Sequence, residues 1–148
     1  MPRQAGHHLH ATTIALNRCG ALIVGASGSG KSSLALQMIA LGAVLVADDQ
    51  TILHRQDGAL LANPAENLAG MIEARGIGIL RMAFVSQCRV DVVIDLDEIE
   101  TERLPAVRTR EVLGVDLPVL HKVATDAWPQ ALCAYLSNQR MNPDHPHV

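Results

Sequence analysis

The segment Gly25-Ala26-Ser27-Gly28-Ser29-Gly30-Lys31-Ser32 fits G-x-x-x-x-G-K-[ST] at every fixed position, the pattern of a phosphate-binding loop. Three glycines let the backbone turn its N–H groups inward onto phosphate oxygens, and the helix that follows adds positive potential at its N-terminus. Lys31 is the residue that reaches β- and γ-phosphates, and the Ser32 hydroxyl is the one that meets Mg²⁺. With Ser33 included, residues 25–33 form the predicted nucleotide-binding stretch. The chemistry this spacing predicts is binding of a nucleoside triphosphate together with Mg²⁺. A second feature follows in Asp48-Asp49, two adjacent carboxylates closing the apolar run Ala43-Val44-Leu45-Val46-Ala47. One of them is expected near the loop, where a metal and an acceptor group would sit; the alternative is Asp as a simple turn former. His7, His8 and His10 also cluster. Strand alternation places His8 and His10 on one face, with no third ligand beside them, so no metal centre is predicted there.

The elements around these residues suit them. Ala21-Leu22-Ile23-Val24 is a short apolar run that reads as a buried strand feeding the loop. Ser33 to Leu41 carries apolar residues at helical spacing, with Gly42 as its C-cap. The alternation from Leu9 to Leu16 and the turn Asn17-Arg18-Cys19-Gly20 make residues 9–24 a hairpin leading into the loop. Residues 43–47 are a buried strand. Thr51 to His54, the Asp57-Gly58 turn and Ala59 to Leu61 read as a second hairpin. Asn63-Pro64 opens a short helical segment reaching about Gly70, and Glu73 and Arg75 stand at strand spacing in the apolar run that follows. On their own these two read as a solvated pair on an edge strand.

Arg89 to Leu96 reads as a buried strand, residues 97–111 as a charged, mobile stretch, and Val112 to Leu120 as extended, with Pro118 favouring an edge. Trp128, Leu132, Tyr135 and Leu136 lie at helical spacing in a packing helix over 126–138. Residues 1–7 are expected to be loose and the tail 139–148 disordered. The predicted architecture is α/β, one domain over 1–148 with its core at about 8–138. Its sheet is mixed or mostly parallel, with helix 31–41 on one face and the phosphate loop at a strand's C-terminal end.

Bulk properties exclude several classes. At 148 residues the chain is long enough for one buried core. Its 49% hydrophobic content is aliphatic, the aromatics being Phe84, Trp128 and Tyr135. The formal net charge of −3, with no basic block, argues against a nucleic-acid platform. No apolar run approaches a membrane span and no leader segment is evident, so a cytoplasmic protein without membrane partners is expected. Cys19, Cys88 and Cys133 are widely spaced and read as reduced, structural thiols.

Taken together, several segments resemble one family, the bacterial HPr serine kinase/phosphorylase in its C-terminal catalytic domain. They are Leu9-His10-Ala11, the loop Gly25 to Ser32, Leu45-Val46-Ala47-Asp48-Asp49, and Ile72-Glu73-Ala74-Arg75-Gly76-Ile77-Gly78. Their order and approximate spacing match over about residues 8–120. The resemblance implies a P-loop kinase domain of the PEP carboxykinase-like/HPr kinase type, a mixed β-sheet with flanking helices. It implies transfer of phosphate from ATP to a serine of an HPr-like phosphocarrier protein of the phosphotransferase system, in control of carbon metabolism, with phosphorolysis as the reverse activity. Carried over by residue, Lys31 and the loop amides hold phosphate, and Ser32 holds Mg²⁺. Asp48 is the catalytic carboxylate, with His10 beside it near the phosphoacceptor. Asp49 and Glu73 are supporting acids around the metal, Arg75 falls within the signature, and Arg103 lies in a mobile arginine-bearing loop. The family's hexamers admit a homo-oligomer here.

The chain departs from the family pattern in several places. The resemblance is to the catalytic domain alone, and a short form without the family's N-terminal domain, typical of alphaproteobacterial relatives, is expected. Ser33 stands where a Glu is common, and the stretch around Phe84 to Cys88 is shorter than expected. Ala124-Thr125-Asp126 replaces Gly-Arg-Asn, and the C-terminal helix is shortened. These changes leave ATP binding intact and bear on phosphorolysis, allosteric control and docking. Two rival readings stay open. One is a small-molecule P-loop kinase with an arginine lid built from Arg103 to Arg110. The other is an ATP-sensing module without catalysis.

Overall fold

The structure is a computed structural model, and it describes residues 6–138. Eleven strands and two helices follow one another among these residues. The strands are β1 (His7–Leu9), β2 (Thr12–Leu16), β3 (Cys19–Val24), β4 (Val44–Ala47), β5 (Thr51–Gln56), β6 (Ala59–Pro64), β7 (Met71–Ala74), β8 (Gly78–Arg81), β9 (Cys88–Ile99), β10 (Arg108–Val112) and β11 (Val115–Lys122). The helices are α1 (Lys31–Ala40), between β3 and β4, and α2 (Trp128–Ser137), after β11.

Nine of the strands join in one mixed sheet, in the order β1-β5-β6-β9-β3-β2-β4, with β11 also on β9 and β10 on β11. Between strands, parallel pairing is found in β3–β9 and β9–β11, and the other strand pairs in that sheet are antiparallel, with an isolated parallel bridge from Leu45 of β4 to Phe84. The sheet is therefore mixed rather than mostly parallel. Helical and strand periodicities meet across it. In β3, Ala21 and Ile23 face the helices while Leu22 faces the other side, and in β9 Val92 and Ile94 alternate in the same way with Val93. From α1, Leu34, Ala35 and Met38 are buried on that first face, with Trp128, Leu132 and Leu136 from α2. Each buried Leu or Met there contributes roughly 1.5–3 kcal/mol. The second face is closed by Leu53 and Leu60 of the β5–β6 hairpin and by Leu117 and Val119 of β11.

Local chemistry explains the connections. Helix α1 ends in a Schellman motif: the Ala43 N–H donates to the Met38 carbonyl and the Gly42 N–H to that of Ile39, both at 3.0 Å, with Gly42 left-handed at φ 113°. The β5–β6 turn has positive φ at both Asp57 (53°) and Gly58 (78°), the hand that matches strand twist. Gly20 is required for space alone. A Cβ there would lie 2.2 Å from the Arg89 carbonyl oxygen and 2.7 Å from Cys88 Sγ. This is where β3 meets β9, and the register shifts between Gly20 and Ala21.

Several predicted boundaries move. The strand expected over 9–16 is broken at His10-Ala11: β1, with His7 already in it, pairs with β5, whereas β2 pairs with β3 and β4. Residues 63–70 hold only a 3-10 turn, Glu66–Leu68, after β6 has run through Pro64. The run around Glu73 and Arg75 is a separate hairpin, β7–β8, with Arg75 in its turn. The stretch 97–111 is in strand at both ends. Strand β9 extends to Ile99, and β10 begins at Arg108. Arg108 donates from Nη2 and Nε to the two Glu100 carboxylate oxygens at 3.0 and 3.2 Å, closing the loop between them. That guanidinium and the Glu102 N–H hold the Glu100 carboxyl down to about 2. Pro118 sits on an inner strand, β11, one residue short of its first pair with β9 at Val119. The expectations for residues 1–5 and 139–148 lie outside the described residues. None of the described helices is long and apolar enough to cross a membrane.

A second ion pair ties β10 to β9: Arg110 Nη2 donates to Asp95 Oδ2 at 2.5 Å. Asp95 is 6% exposed. Burial pushes its carboxyl up, but the Arg110 bond and the Asp97 N–H outweigh this and hold it below its ordinary value. A group with a depressed folded pKa stabilises the fold above its unfolded value and loses that contribution as pH falls through the folded one. Asp95→Asn is therefore expected to lower the urea midpoint at neutral pH, with the gap to wild type narrowing below about pH 4. A gap independent of pH would contradict the pairing. Gly20→Ala is expected to cost about 2 kcal/mol or more in the same measurement, since a backbone carbonyl cannot move aside as a flexible side chain can.

Candidate active site

The phosphate loop leaves β3 and enters α1, as its sequence predicts. Gly25, Gly28 and Gly30 have φ of 154°, 82° and 103°, conformations that L side chains rarely adopt. At Gly28 and Gly30 nothing lies within 4 Å of where a Cβ would be. The backbone there lines open space that a ligand can approach closely. Lys31 is buried, and its ammonium donates to the carbonyls of Gly25 and Ala26 at 2.8 and 3.0 Å, bridging the loop.

Asp48 lies just beyond the end of β4, beneath the start of α1. It is 6% exposed, and its two oxygens accept three hydrogen bonds. Ser32 Oγ donates to Oδ1 at 2.6 Å and Thr12 Oγ1 to the same oxygen at 2.9 Å, while the Glu73 backbone N–H donates to Oδ2 at 3.0 Å. One carboxylate thus joins β2, α1 and β7. Asp49 turns away from it because its backbone is left-handed, with φ at 66°. Its side chain is 63% exposed and its Oδ1 lies 2.8 Å from His10 Nε2. The sequence reading sets His10 beside Asp48; the structure sets it on Asp49. The break after β1 places His10 in a bend at the cleft instead of on a strand face. Glu73 and Arg75 line the same small cleft as His10, Asp49, Lys31 and Ser32, with both side chains exposed.

Among the described residues no group of three or more His, Cys, Asp and Glu can hold a metal ion by itself. The residues nevertheless fit a nucleotide-borne Mg²⁺. That ion takes hard oxygen donors, keeps most of its shell as phosphate and water, and needs only one or two protein groups. The Ser32 hydroxyl and the Asp48 carboxylate, 2.6 Å apart, are such a pair.

Three contributors escape sequence reading. Thr12 is fully buried and holds Asp48. Both Asp97 oxygens accept from the Ala26 N–H at 3.0 Å, pinning the entry of the phosphate loop. Asp95 in turn accepts the Asp97 N–H at 2.9 Å, so the Arg110–Asp95 pair backs this contact. An Asp in the otherwise apolar run Val92 to Leu96 was the visible signal, because a buried carboxylate needs a partner. The thiols are inert by comparison. Burial pushes the pKa of Cys88 up to about 12 and raises those of Cys19 and Cys133.

Comparison with known proteins follows the same residues. The model of the HPr Serine kinase C-terminal domain matches residues 4–124. An HPr kinase/phosphorylase of Pelodictyon phaeoclathratiforme is 33% identical over 125 residues, 75% of this chain and 38% of the relative. One of Clostridium botulinum is 40% identical over 72 residues, 49% of this chain and 24% of the relative. The chain spans less than two fifths of the length of the curated relatives it matches. Among solved structures, the Hpr(Ser) kinase/phosphatase from Coxiella burnetii superposes with a TM-score of 0.78 at 26% identity, covering 90% of this chain and 96% of that one. With a phosphate loop, a buried Asp48 and an exposed Asp49 in place, and the family model spanning most of its length, the chain belongs to the HPr serine kinase C-terminal domain family.

Proposed function

We propose that this chain transfers the γ-phosphoryl group of ATP to a serine hydroxyl of an HPr-like phosphocarrier protein of the phosphotransferase system, acting in regulation of carbon metabolism, with phosphorolysis as the reverse activity. The observation that carries this reading is the division of the two adjacent carboxylates. Asp48 is buried against Ser32, and Asp49 is exposed against His10. Phosphoryl transfer is mostly positioning and charge stabilisation, with one carboxylate orienting the nucleophile. A base for a protein substrate must stand where a folded partner can bring its serine.

The roles of the two acids are accordingly proposed in the reverse of the sequence reading. Asp49 accepts the serine Oγ proton, with His10 orienting its carboxylate. The serine oxygen forms its bond to the γ-phosphorus as the bond to the β–γ bridging oxygen breaks, and ADP leaves. Lys31 and the loop N–H groups hold the β- and γ-phosphates, which requires the ammonium to leave its present carbonyl partners. Ser32, with Asp48 behind it, holds Mg²⁺, which when bound offsets charge on the phosphate oxygens. Glu73, lining the same cleft, would supply a further oxygen to that ion, and the other loop residues to Ser33 complete the cradle.

The arginine-lid alternative loses its basis. Arg108 and Arg110 are committed to Glu100 and Asp95. Arg103 lines a cavity with Trp128 and Tyr135 that includes no phosphate-loop residue. A pure ATP sensor has no use for an exposed acid oriented by a histidine.

The test is transfer of labelled γ-phosphate from ATP to purified phosphocarrier protein. Label is expected on a serine of the carrier, and Lys31→Ala is expected to abolish transfer and weaken ATP binding at least tenfold by calorimetry. Normal ATP affinity in that variant would remove the loop from the account. Tight ATP binding with no transfer to any carrier would leave the sensor reading.

A further inference from the structure

The first turn of the phosphate loop is held from two sides. Strand β9 outruns β3: Val24, the last residue of β3, pairs with Asp95, and β9 continues to Ile99. Asp97 therefore stands alongside Ala26, whose N–H donates to both of its carboxylate oxygens at 3.0 Å. On the carbonyl side the Lys31 ammonium holds Gly25 and Ala26 at 2.8 and 3.0 Å. The turn is seated on β9, since a Cβ at Gly25 would lie 2.6 Å from Ser29 Oγ and 3.2 Å from Leu96 Cβ.

The two holds do not last equally. The proposed chemistry takes Lys31 to the β- and γ-phosphates, and both of its carbonyl bonds are then given up. Asp97 has no second task. Its own N–H donates to Asp95 Oδ1 at 2.9 Å, and Asp95 Oδ2 accepts from Arg110 Nη2 at 2.5 Å. Ser29 offers no substitute, because its buried Oγ has no hydrogen-bond partner among the described residues. We infer that Asp97 is a positioning residue for the nucleotide. It keeps the first peptide of the loop in place while Lys31 exchanges carbonyls for phosphate, and the Arg110–Asp95 pair fixes Asp97 for that work. The inference rests on the reading of residues 25–32 as a triphosphate cradle. A loop released at its entry would have to be ordered by the ligand, and that ordering subtracts from affinity.

The sign of the effect separates this role from that of a plain charge. Asp97 is exposed, so truncating it leaves no cavity in the core. As an anion beside a phosphate site it repels ATP, and by that effect alone its removal would tighten binding. Positioning predicts the opposite.

The test is calorimetric affinity for Mg·ATP, with kcat and the KM for ATP measured in transfer to the phosphocarrier. Asp97→Ala is expected to weaken Mg·ATP about tenfold or more and to raise KM in step, with kcat at saturating ATP within about threefold of wild type. Asp97→Asn lacks the charge but keeps an acceptor oxygen, and should recover most of that affinity. Arg110→Gln is expected to weaken Mg·ATP severalfold on its own and to add nothing to Asp97→Ala, because it acts through that side chain. The role is overturned if Asp97→Ala binds Mg·ATP as tightly as wild type or more tightly. It is also overturned if that variant loses kcat while affinity stands, or if the two substitutions add. Wild-type protein that fails to bind Mg·ATP is a distinguishable result: it sinks the phosphate-cradle reading, and this inference with it.

Discussion

The Asp48 carboxylate is the point on which the site depends. A carboxylate 6% exposed is costly to bury unless its oxygens are occupied. Here they take a hydroxyl from β2, a hydroxyl from α1 and a backbone N–H from β7. Those three donors come from segments far apart in the chain, with 16 to 36 residues separating each from Asp48. Hydrogen bonds to an ionised acceptor are about twice as strong as neutral ones, so the start of α1, and Ser32 with it, is held in register with the end of β4. The β7–β8 hairpin, which lies outside the main sheet, is drawn to the cleft by the same anion.

Once Asp48 is committed to this knot, its neighbour is free for other work. Successive strand residues point to opposite faces, and two residues past the end of β4 the left-handed backbone at Asp49 swings its side chain out to His10. A non-glycine residue in that conformation is strained by a kcal/mol or so and persists where its surroundings hold it. Burial of one acid and exposure of the other give two chemistries from one dipeptide: a fixed oxygen donor behind Ser32 and an accessible one facing solvent.

Much of this was legible in the sequence, for reasons particular to each element. The phosphate loop, the β2–β3 and β5–β6 hairpins, α1 with its Gly42 cap and α2 with its apolar stripe all rest on local rules, and the structure has each of them. The path of residues 97–111 was not legible. High charge reads as solvated and mobile, yet Glu100–Arg108 and Asp95–Arg110 convert that charge into closure of a hairpin onto β9. Nor did sequence reveal which of Asp48 and Asp49 meets His10, because a one-residue change of direction depends on a single φ angle. The Asp97 contact to the loop spans 71 residues, and no local pattern encodes a pairing at that separation.

The central claim is that Asp49 is the base and Asp48 the metal-side anchor, and single-turnover transfer to the phosphocarrier tests it when nucleotide affinity is measured in parallel at low and high Mg²⁺. Asp49→Asn keeps the shape and removes the basicity, so transfer should fall by about two orders of magnitude or more with ATP affinity unchanged at either Mg²⁺ concentration. Asp48→Asn should instead weaken Mg·ATP binding, with partial recovery at high Mg²⁺. If Asp49→Asn transfers phosphate at the wild-type rate, or if Asp48→Asn loses transfer while binding Mg·ATP normally, the assignment is wrong.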